Sequence, residues 1–518
     1  MEGARHDRKV DERSERRVDR LFLGLSGRTE ATQARESRTC TNEDCVLWRR
    51  LGYSRSTTAR SNKMPPSEQE QNAFWAGAAP EGRARFTDVR IIGSGAYSVV
   101  ARATDTKTSQ PVAIKRIAEV FYDAQEAKKV LREIRLLRDF RHPNVISLVA
   151  LIPPASMETF DDIFMVSEFM ESDLRRIIKS RQPLDAAAVR SYMAQLLAGL
   201  HHVHCHLSIH RDLKPANILV SRSLKSPVTP YGLLRLCDFG LARVDSNSTG
   251  GNQETKREQE AATQFDGASD PEDPMEIEDG GGAGSSDAPK PPAPPSLKKQ
   301  MTSYVVTRWY RAPEVILRAT YTSALDLWAA GCIYKELLEL TPTSRFKTGA
   351  IFPGRYCIPF SFDDDQRERQ RHDQLAVITR TLGALTALEV EWLNPNAMAE
   401  VMAVQPGGGG EWSALSEAER TAQIDSKLIE ACPVAEAGSA ELKLLHALLE
   451  FNPSKRPDAE ACLAMDYFAS LPKDELPKLS TRPDARTIEA AFKFEEEALG
   501  SNELRILLAN DLFQMNME

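Results

Sequence analysis

From Phe86 onward, apolar residues alternate with polar ones in three short runs, FTDVRIIG, SVVARAT and PVAIKRI, broken by Gly, Thr, Asp and Pro. A period of two is what a strand with one buried face shows, so these runs predict a small antiparallel sheet. The period then changes. AQEAKKVLREIRLLRDF spaces its apolar residues along one helix face, a further strand pair follows (VISLVAL, DIFMVSEF), and DAAAVRSYMAQLLAGLHHVH and DLWAAGCIYKELLEL are again helical. A sheet-rich part followed by a helix-rich part predicts an α+β fold in two lobes.

At 518 residues the chain has room for two to four domains of about 150 residues each. Its 66 Lys and Arg against 74 Asp and Glu give a net charge of -8, without the positive excess that phosphate-neutralising proteins rely on, so nucleic acid is not an expected partner. The longest apolar stretches, such as 145–154, fall well short of the roughly 20 residues a bilayer span needs, and the opening MEGARHDRKVDERSERR is charged where a signal peptide is apolar. No membrane association is expected. The cysteines are dilute and scattered, unlike a disulfide framework, which fits a reducing, cytoplasmic or nuclear setting. Cys40 and Cys45 form the only close pair and lack the second pair or adjacent histidine of a zinc site.

Residues 1–85 mix Arg with Glu, Ser and Thr and show little periodicity, so this extension is expected to be largely disordered, with a short helix near 11–25. Residues 245–299 are rich in Gly, Pro, Ser and acid and nearly devoid of aliphatics, a composition that cannot bury enough apolar surface to fold. Loop-closure entropy grows only logarithmically with length, so a disordered insert is tolerated inside a domain whose surface carries both ends. The folded domain is placed at 86–468, with lobes at 86–170 and 171–468, followed by an extension at 469–518.

Between the first two runs lies Ile92-Gly93-Ser94-Gly95-Ala96-Tyr97-Ser98-Val99-Val100. Glycines there serve a tight hairpin or let the backbone approach a phosphate, and alone they do not decide between the two. Val112-Ala113-Ile114-Lys115 on the next strand puts a lysine where it can neutralise the α- and β-phosphates of ATP, and Glu133 in the following helix can hold that lysine in an ion pair. A second cluster reads His210-Arg211-Asp212-Leu213-Lys214-Pro215-Ala216-Asn217, followed by Asp238-Phe239-Gly240. Phosphoryl transfer needs a carboxylate beside the accepting hydroxyl, metal ligands bridging phosphates, and cations for the developing charge. Asp212 is the candidate base, Lys214 the phosphate contact, and Asn217 with Asp238 the oxygen donors suited to Mg2+.

In this order, with Ala312-Pro313-Glu314 further on, the residues resemble the protein kinase family over 86–468 apart from the insert. The resemblance implies a bilobal fold, with ATP and Mg2+ in the cleft between a small β-rich N-lobe and a larger helical C-lobe. It implies that Ile92 through Ser98, with Val100, Ala113, Lys115, Glu168, Met170, Asp173 and Leu219, line the nucleotide. It further implies a catalytic set of Lys115, Glu133, Asp212 and Lys214, with Asn217 and Asp238 holding the metal. Asp326 and Trp328 of DLWAAG and Arg456 of NPSKRP are implied as supports of the second lobe, and Ser167 is implied behind the adenine, where its small side chain leaves a back pocket. Ser98 stands where the family carries a third glycine.

Met301-Thr302-Ser303-Tyr304-Val305-Val306-Thr307-Arg308-Trp309-Tyr310-Arg311 is similar to the activation lip of mitogen-activated protein kinases, with Ser303 where Glu, Pro or Gly is usual. REIRLLRDFRHPNVI, MESDL, IFPG, HDQLAVITRTLG and the tail AAFKFEEEALGSNELRILL add to this resemblance. It implies a monomeric Ser/Thr kinase for Ser/Thr-Pro sites in protein substrates, activated at Thr302 and Tyr304 by an upstream MAP kinase kinase. Phosphatases and docking-motif proteins are the other implied partners, and the tail is implied to brace the first lobe. A phosphate on the lip adds nearly two negative charges, enough to order it against Arg211, Arg308 and Arg311. Arg16-Arg17-Val18-Asp19-Arg20-Leu21-Phe22-Leu23 has the basic-then-apolar spacing of peptides that dock on this family, whose acidic docking cluster is here reduced to Asp474 and Glu475 among Lys and Arg. A cyclin-dependent-type kinase is the alternative among enzymes and a catalytically silent scaffold the alternative outside them. The filled catalytic positions and the Thr302-Ser303-Tyr304 lip favour neither.

Overall fold

The computed structural model describes residues 72–95, 98–221, 231–244, 308–344, 349–354, 364–406, 411–472, 478–481 and 485–517. The 245–299 insert, Ala96, Tyr97, Thr302, Tyr304, the 16–23 segment, Cys40 with Cys45, and Asp474 with Glu475 lie outside the described residues.

The three alternating runs form strands β1 (Phe86–Ser94), β2 (Ser98–Asp105) and β3 (Gln110–Ile117), and the later pair forms β4 (Leu148–Ile152) and β5 (Ile163–Glu168). They make one antiparallel sheet in the order β1-β2-β3-β5-β4. Helix α1 (Ala124–Asp139) connects β3 to β4, and the Asp123 carboxylate caps it by accepting the Gln125 and Glu126 amides. Its inner face buries Ala127, Val130, Leu131, Ile134 and Leu137 at the spacing the sequence predicts.

Beyond the crossing come β6 (Ser172–Asp173), α2 (Leu174–Ser180), α3 (Ala186–Cys205), β7 (Ser208–Ile209), β8 (Ile218–Ser221), β9 (Leu233–Leu236) and β10 (Arg243–Val244). Helix α4 (Ala324–Leu338) follows, buried on every side from Leu325 to Leu338, as befits a helix at the centre of a lobe. Further helices include α5 (Asp364–Leu382), α6 (Glu417–Ala431) and α7 (Ala440–Leu448), the last packed on α4, and α8 (Ser501–Met517) near the C-terminus. The β-rich first lobe and helical second lobe make this a bilobal α+β fold.

The folded chain starts before the expected boundary at 86. The outer face of the sheet (Ala101, Ala103, Val112, Ile114, Phe164, Val166) is covered by Phe74 and Trp75, whose side chains are buried. The Trp75 ring stacks on Phe164 at 5.9 Å, and Phe74 meets Phe164 edge-on at 6.0 Å. Two inward alanines on β2 leave the depth that a tryptophan fills. Backbone bonds pin this segment, with the Ala79 amide donating to Pro153 and the Ala155 amide to Gly77. Arg116 also donates to the Ala73 carbonyl, at 2.6 Å.

At the other end of the chain, α8 packs on α1 and β4 through Leu504, Leu508 and Leu512, all fully buried. Asp511 accepts from Arg135 at 2.9 Å and Arg138 at 2.8 Å, and Lys128 donates to the carbonyls of Glu495 and Glu497. Arg132 forms a forked ion pair with the Glu495 carboxylate.

Three histidines gather where α3 ends. The rings of His142 and His202 stack at 5.0 Å, His202 and His206 lie 4.2 Å apart, and both His202 and His206 contact Phe140. The Arg141 amide donates to His202 Nε2, which leaves Nδ1–H to donate to Ser480 Oγ at 2.7 Å. Burial depresses His202 to about 3 and His142 to about 4.

Trp75→Ala is expected to cost about 3–5 kcal/mol, read as a lower melting temperature, because it opens a cavity on the sheet's outer face. Both depressed histidines are neutral when folded but take up a proton near pH 6.5 when unfolded. Their stabilisation is therefore complete above that pH and is lost as pH falls toward 4 and 3. Apparent melting temperature should drop by about 5 °C or more between pH 7.5 and 5, and less steeply in His202→Gln; an equally steep profile in that variant would refute the assignment.

Candidate active site

On β3, Val112 and Ile114 belong to the outer core, so alternation turns Ala113 and Lys115 to the opposite face, toward α1. There Lys115 Nζ donates to both Glu133 oxygens at 2.9 Å and stands 4.0 Å from Asp238 Oδ1. Burial works against the ammonium, but the Glu133 and Asp238 carboxylates outweigh it and hold Lys115 above its ordinary pKa. It is a cation at any physiological pH.

Val100 pairs with Lys115 across β2 and β3, and Ala113 pairs with Ser167 across β3 and β5. Before them the Gly95 amide closes the hairpin onto Ser98 at 2.7 Å, Ile92 is exposed, and an added Cβ at Gly93 would meet nothing within 4 Å. Of the expected phosphate loop, Ala96 and Tyr97 alone lie outside the described residues. Glu168 ends β5, and Met170 is half-buried in the crossing. Asp173 pairs with Leu219 across β6 and β8 and caps α2 by accepting the Arg176 amide.

The second-lobe side is set by Asp326, a fully buried carboxylate at the start of α4. It accepts the His210 amide at 2.8 Å, the Arg211 amide at 3.0 Å and His204 Nε2 at 2.9 Å. Burial opposes this charge, but the His204 bond and the His210 contacts prevail and keep Asp326 below the usual carboxylate range. Arg211 and Asp238 have φ of 67° and 69°, a left-handed conformation uncommon for residues with a Cβ and frequent at functional sites. Phe239 is fully buried between Phe140 at 5.1 Å and His210 at 5.0 Å, and His210 Nε2 lies 3.1 Å from the Cys237 carbonyl.

Within this frame Asp212 Oδ2 takes Lys214 Nζ at 2.5 Å and Asn217 Nδ2 at 3.0 Å, while that amide also donates to the Asp212 carbonyl at 2.9 Å. The Cys237 amide donates to the Asn217 carbonyl, joining the segment that carries Asn217 to the one that carries Asp238. The Asp238 side chain is 49% exposed, so its oxygens remain open to a cation. Among the described residues no three His, Cys, Asp or Glu cluster as a resident metal site. An Asn and an Asp oxygen suit a hard ion that arrives with phosphates. Burial first, then Asp238, pushes the Cys237 thiol up, so it is not a thiolate.

The protein kinase domain family matches residues 86–264 and 293–468. Mitogen-activated protein kinase 6 of Arabidopsis thaliana is 30% identical over 428 residues, 82% of this chain and 82% of that protein. Extracellular signal-regulated kinase 1 of Dictyostelium discoideum is 33% identical over 76% of this chain and 56% of its own length. Mitogen-activated protein kinase 15 of Oryza sativa subsp. japonica is 30% identical over 83% of this chain and 67% of its own. The chain belongs to the mitogen-activated protein kinases. It is therefore a Ser/Thr protein kinase of the CMGC group.

Two features of this kinase's site escape local sequence reading. Arg132 and Arg243 stand near Arg211, close enough that each cation affects its neighbours, and burial followed by Arg132 lowers Arg243 to about 10. Arg132 also donates to the Gly240 carbonyl at 2.8 Å, tying α1 to the segment that carries Asp238. Arg456 forms a fully buried pair with Glu314 at 2.7 Å and lies over the Trp328 ring, a structural place for both.

Asp326→Asn replaces an acceptor of three donors by a group that must itself donate. It should cost about 3 kcal/mol of stability and lower phosphate transfer at least tenfold, measured by thermal melting and steady-state assay.

Proposed function

We propose that this kinase transfers the γ-phosphoryl group of ATP, with Mg2+, to Ser or Thr followed by Pro in protein substrates, and that phosphorylation of Thr302 and Tyr304 by an upstream kinase activates it. The observation that carries the reading is the convergence of Lys115 and Glu133 from the first lobe with Asp212, Lys214, Asn217 and Asp238 from the second, bridged where Lys115 Nζ stands 4.0 Å from Asp238 Oδ1. Lys115, oriented by Glu133, neutralises the α- and β-phosphates. Ile92 through Ser98, Val100, Ala113, Glu168, Met170, Asp173 and Leu219 are assigned to the rest of the nucleotide. Asn217 and Asp238 would hold Mg2+, which when bound supplies charge neutralisation between the phosphates.

Asp212 receives the proton of the acceptor hydroxyl. Its bonds from Lys214 and Asn217 fix the carboxylate in one orientation, so no reorganisation is needed as the hydroxyl arrives. Lys214 then lies beside the developing charge on the phosphoryl group. Turnover of about 1–100 per second is ordinary for such machinery. Arg211, expected for the phosphate on the lip together with Arg308 and Arg311, supplies positive charge there with Arg311 close enough to act on it, and Arg132 and Arg243 add to the set. Upstream kinases, phosphatases and docking-motif proteins are assigned as partners of a monomer working in the cytoplasm or nucleus.

The test is transfer from ATP and Mg2+ to paired Ser-Pro and Ser-Ala peptides by wild type and Asp212→Asn, with occupancy of Thr302 and Tyr304 read by mass spectrometry. Wild type should favour the Ser-Pro peptide, activity should rise with double occupancy, and Asp212→Asn should lose about 10²–10⁴-fold. A doubly phosphorylated wild type that transfers nothing to either peptide would sink the reading.

A further inference from the structure

Arg235 lies on β9, three positions before Asp238, between the fully buried Leu234 and Leu236. Alternation therefore turns it away from the lobe's core. Its guanidinium donates to Glu168 Oε1 at 2.6 Å and to the Val145 carbonyl at 3.1 Å. The same Glu168 oxygen accepts the Ser147 amide at 3.2 Å.

Three pieces of chain meet at this carboxylate: the end of β5 where the polypeptide leaves the first lobe, the loop from α1 to β4, and the strand that leads to Asp238. The loop is itself fastened to β9, with the Ile146 amide donating to Leu236 and the Leu236 amide to Asn144. Glu168 is thus the point where the crossing between the lobes is tied to the second-lobe strand. The pair is mostly buried, so salt and water screen it little.

We propose that Arg235 is a positioning residue for the nucleotide. Through Glu168 it fixes the angle at which the crossing leaves β5, and with it the separation between Lys115 and the Asp238 segment. This rests on the ATP-dependent reading above. Without the tie the lobes sample wider openings, only a fraction of molecules present a nucleotide-competent cleft, and apparent affinity falls by that fraction. Once nucleotide is bound the cleft is closed and the chemical step is unchanged. The signature is a KM effect without a matching kcat effect, which a general loss of stability would not produce.

The experiment measures KM for ATP and kcat, with the Kd of Mg-ATP by calorimetry, in the full chain as wild type, Arg235→Met, Glu168→Gln and the double variant. Each single change should raise KM and Kd about five- to tenfold, with kcat of Arg235→Met within about threefold, and the double variant should be no worse than the poorer single, since both remove one contact. Arg235→Lys should recover at least half of the lost affinity; it and Glu168→Asp, which should retain a partial loss, take the place of any variant that fails to fold. Unchanged KM and Kd beside an active wild type, additive singles, or no recovery by lysine would each overturn the inference. A wild type that neither binds nor uses ATP would instead overturn the functional reading, and this inference with it.

Discussion

The Lys115–Glu133 ion pair is only as well placed as the helix that carries Glu133. Burying a carboxylate and an ammonium carries a desolvation cost that their attraction offsets only when the geometry is good. That geometry depends on α1, whose inner face is held by apolar packing and whose outer face presents Lys128, Arg132, Arg135 and Arg138. Each of these cations is answered by the C-terminal extension, through the carbonyls of Glu495 and Glu497, the Glu495 carboxylate and Asp511. Rotating α1 away from β3 would break several charged contacts at once. The last turns of the chain are therefore part of the support of the cleft, although none of them touches it.

The opposite wall is held by a different device. Arg211 and Asp238 are kept in left-handed backbone conformations, each of which costs on the order of 1–3 kcal/mol. The surrounding contacts must over-determine them. Asp326 does so for the first, because its two oxygens fix two successive amides. The burial of Phe239 between Phe140 and His210 does so for the second. One wall is thus rigid through strain and buried hydrogen bonds, while the other follows a helix clamped from outside. The crossing at Glu168, the junction between them, is where the remaining freedom of the cleft is set.

The candidate catalytic residues were legible in the sequence because the chemistry assigned to them requires them within a few positions of one another: Asp212, Lys214 and Asn217 on one loop, Asp238 beside Phe239. The strands and helices were legible because their periods are two and 3.6. Pairings such as Arg132 with Glu495, Arg135 with Asp511 and Arg235 with Glu168 were not, since a charged stripe on a helix or a lone arginine on a strand has the same pattern whether it faces water or a distant partner. Phe74 and Trp75 were missed for a related reason. Two aromatics amid polar residues carry no period, and only the shallow face made by Ala101 and Ala103 explains why they are buried.

The arginines near the DFG segment show how contact in space replaces contact in sequence. Arg211, Arg308 and Arg311 were the natural expectation for a phosphate on the lip, and Arg311 does act on Arg211, but Arg132 and Arg243 join the set from separate elements. Glu495 is the carboxylate that answers Arg132. Arg211 has the Tyr321 ring beneath its guanidinium, and Arg243 donates to its neighbouring Ala242 carbonyl. Burial and mutual repulsion lower the affinity of Arg211 and Arg243 for their protons, which is the electrostatic mark of a region short of negative charge. A phosphate added beside such a region relieves the repulsion among the cations as the new ion pairs form.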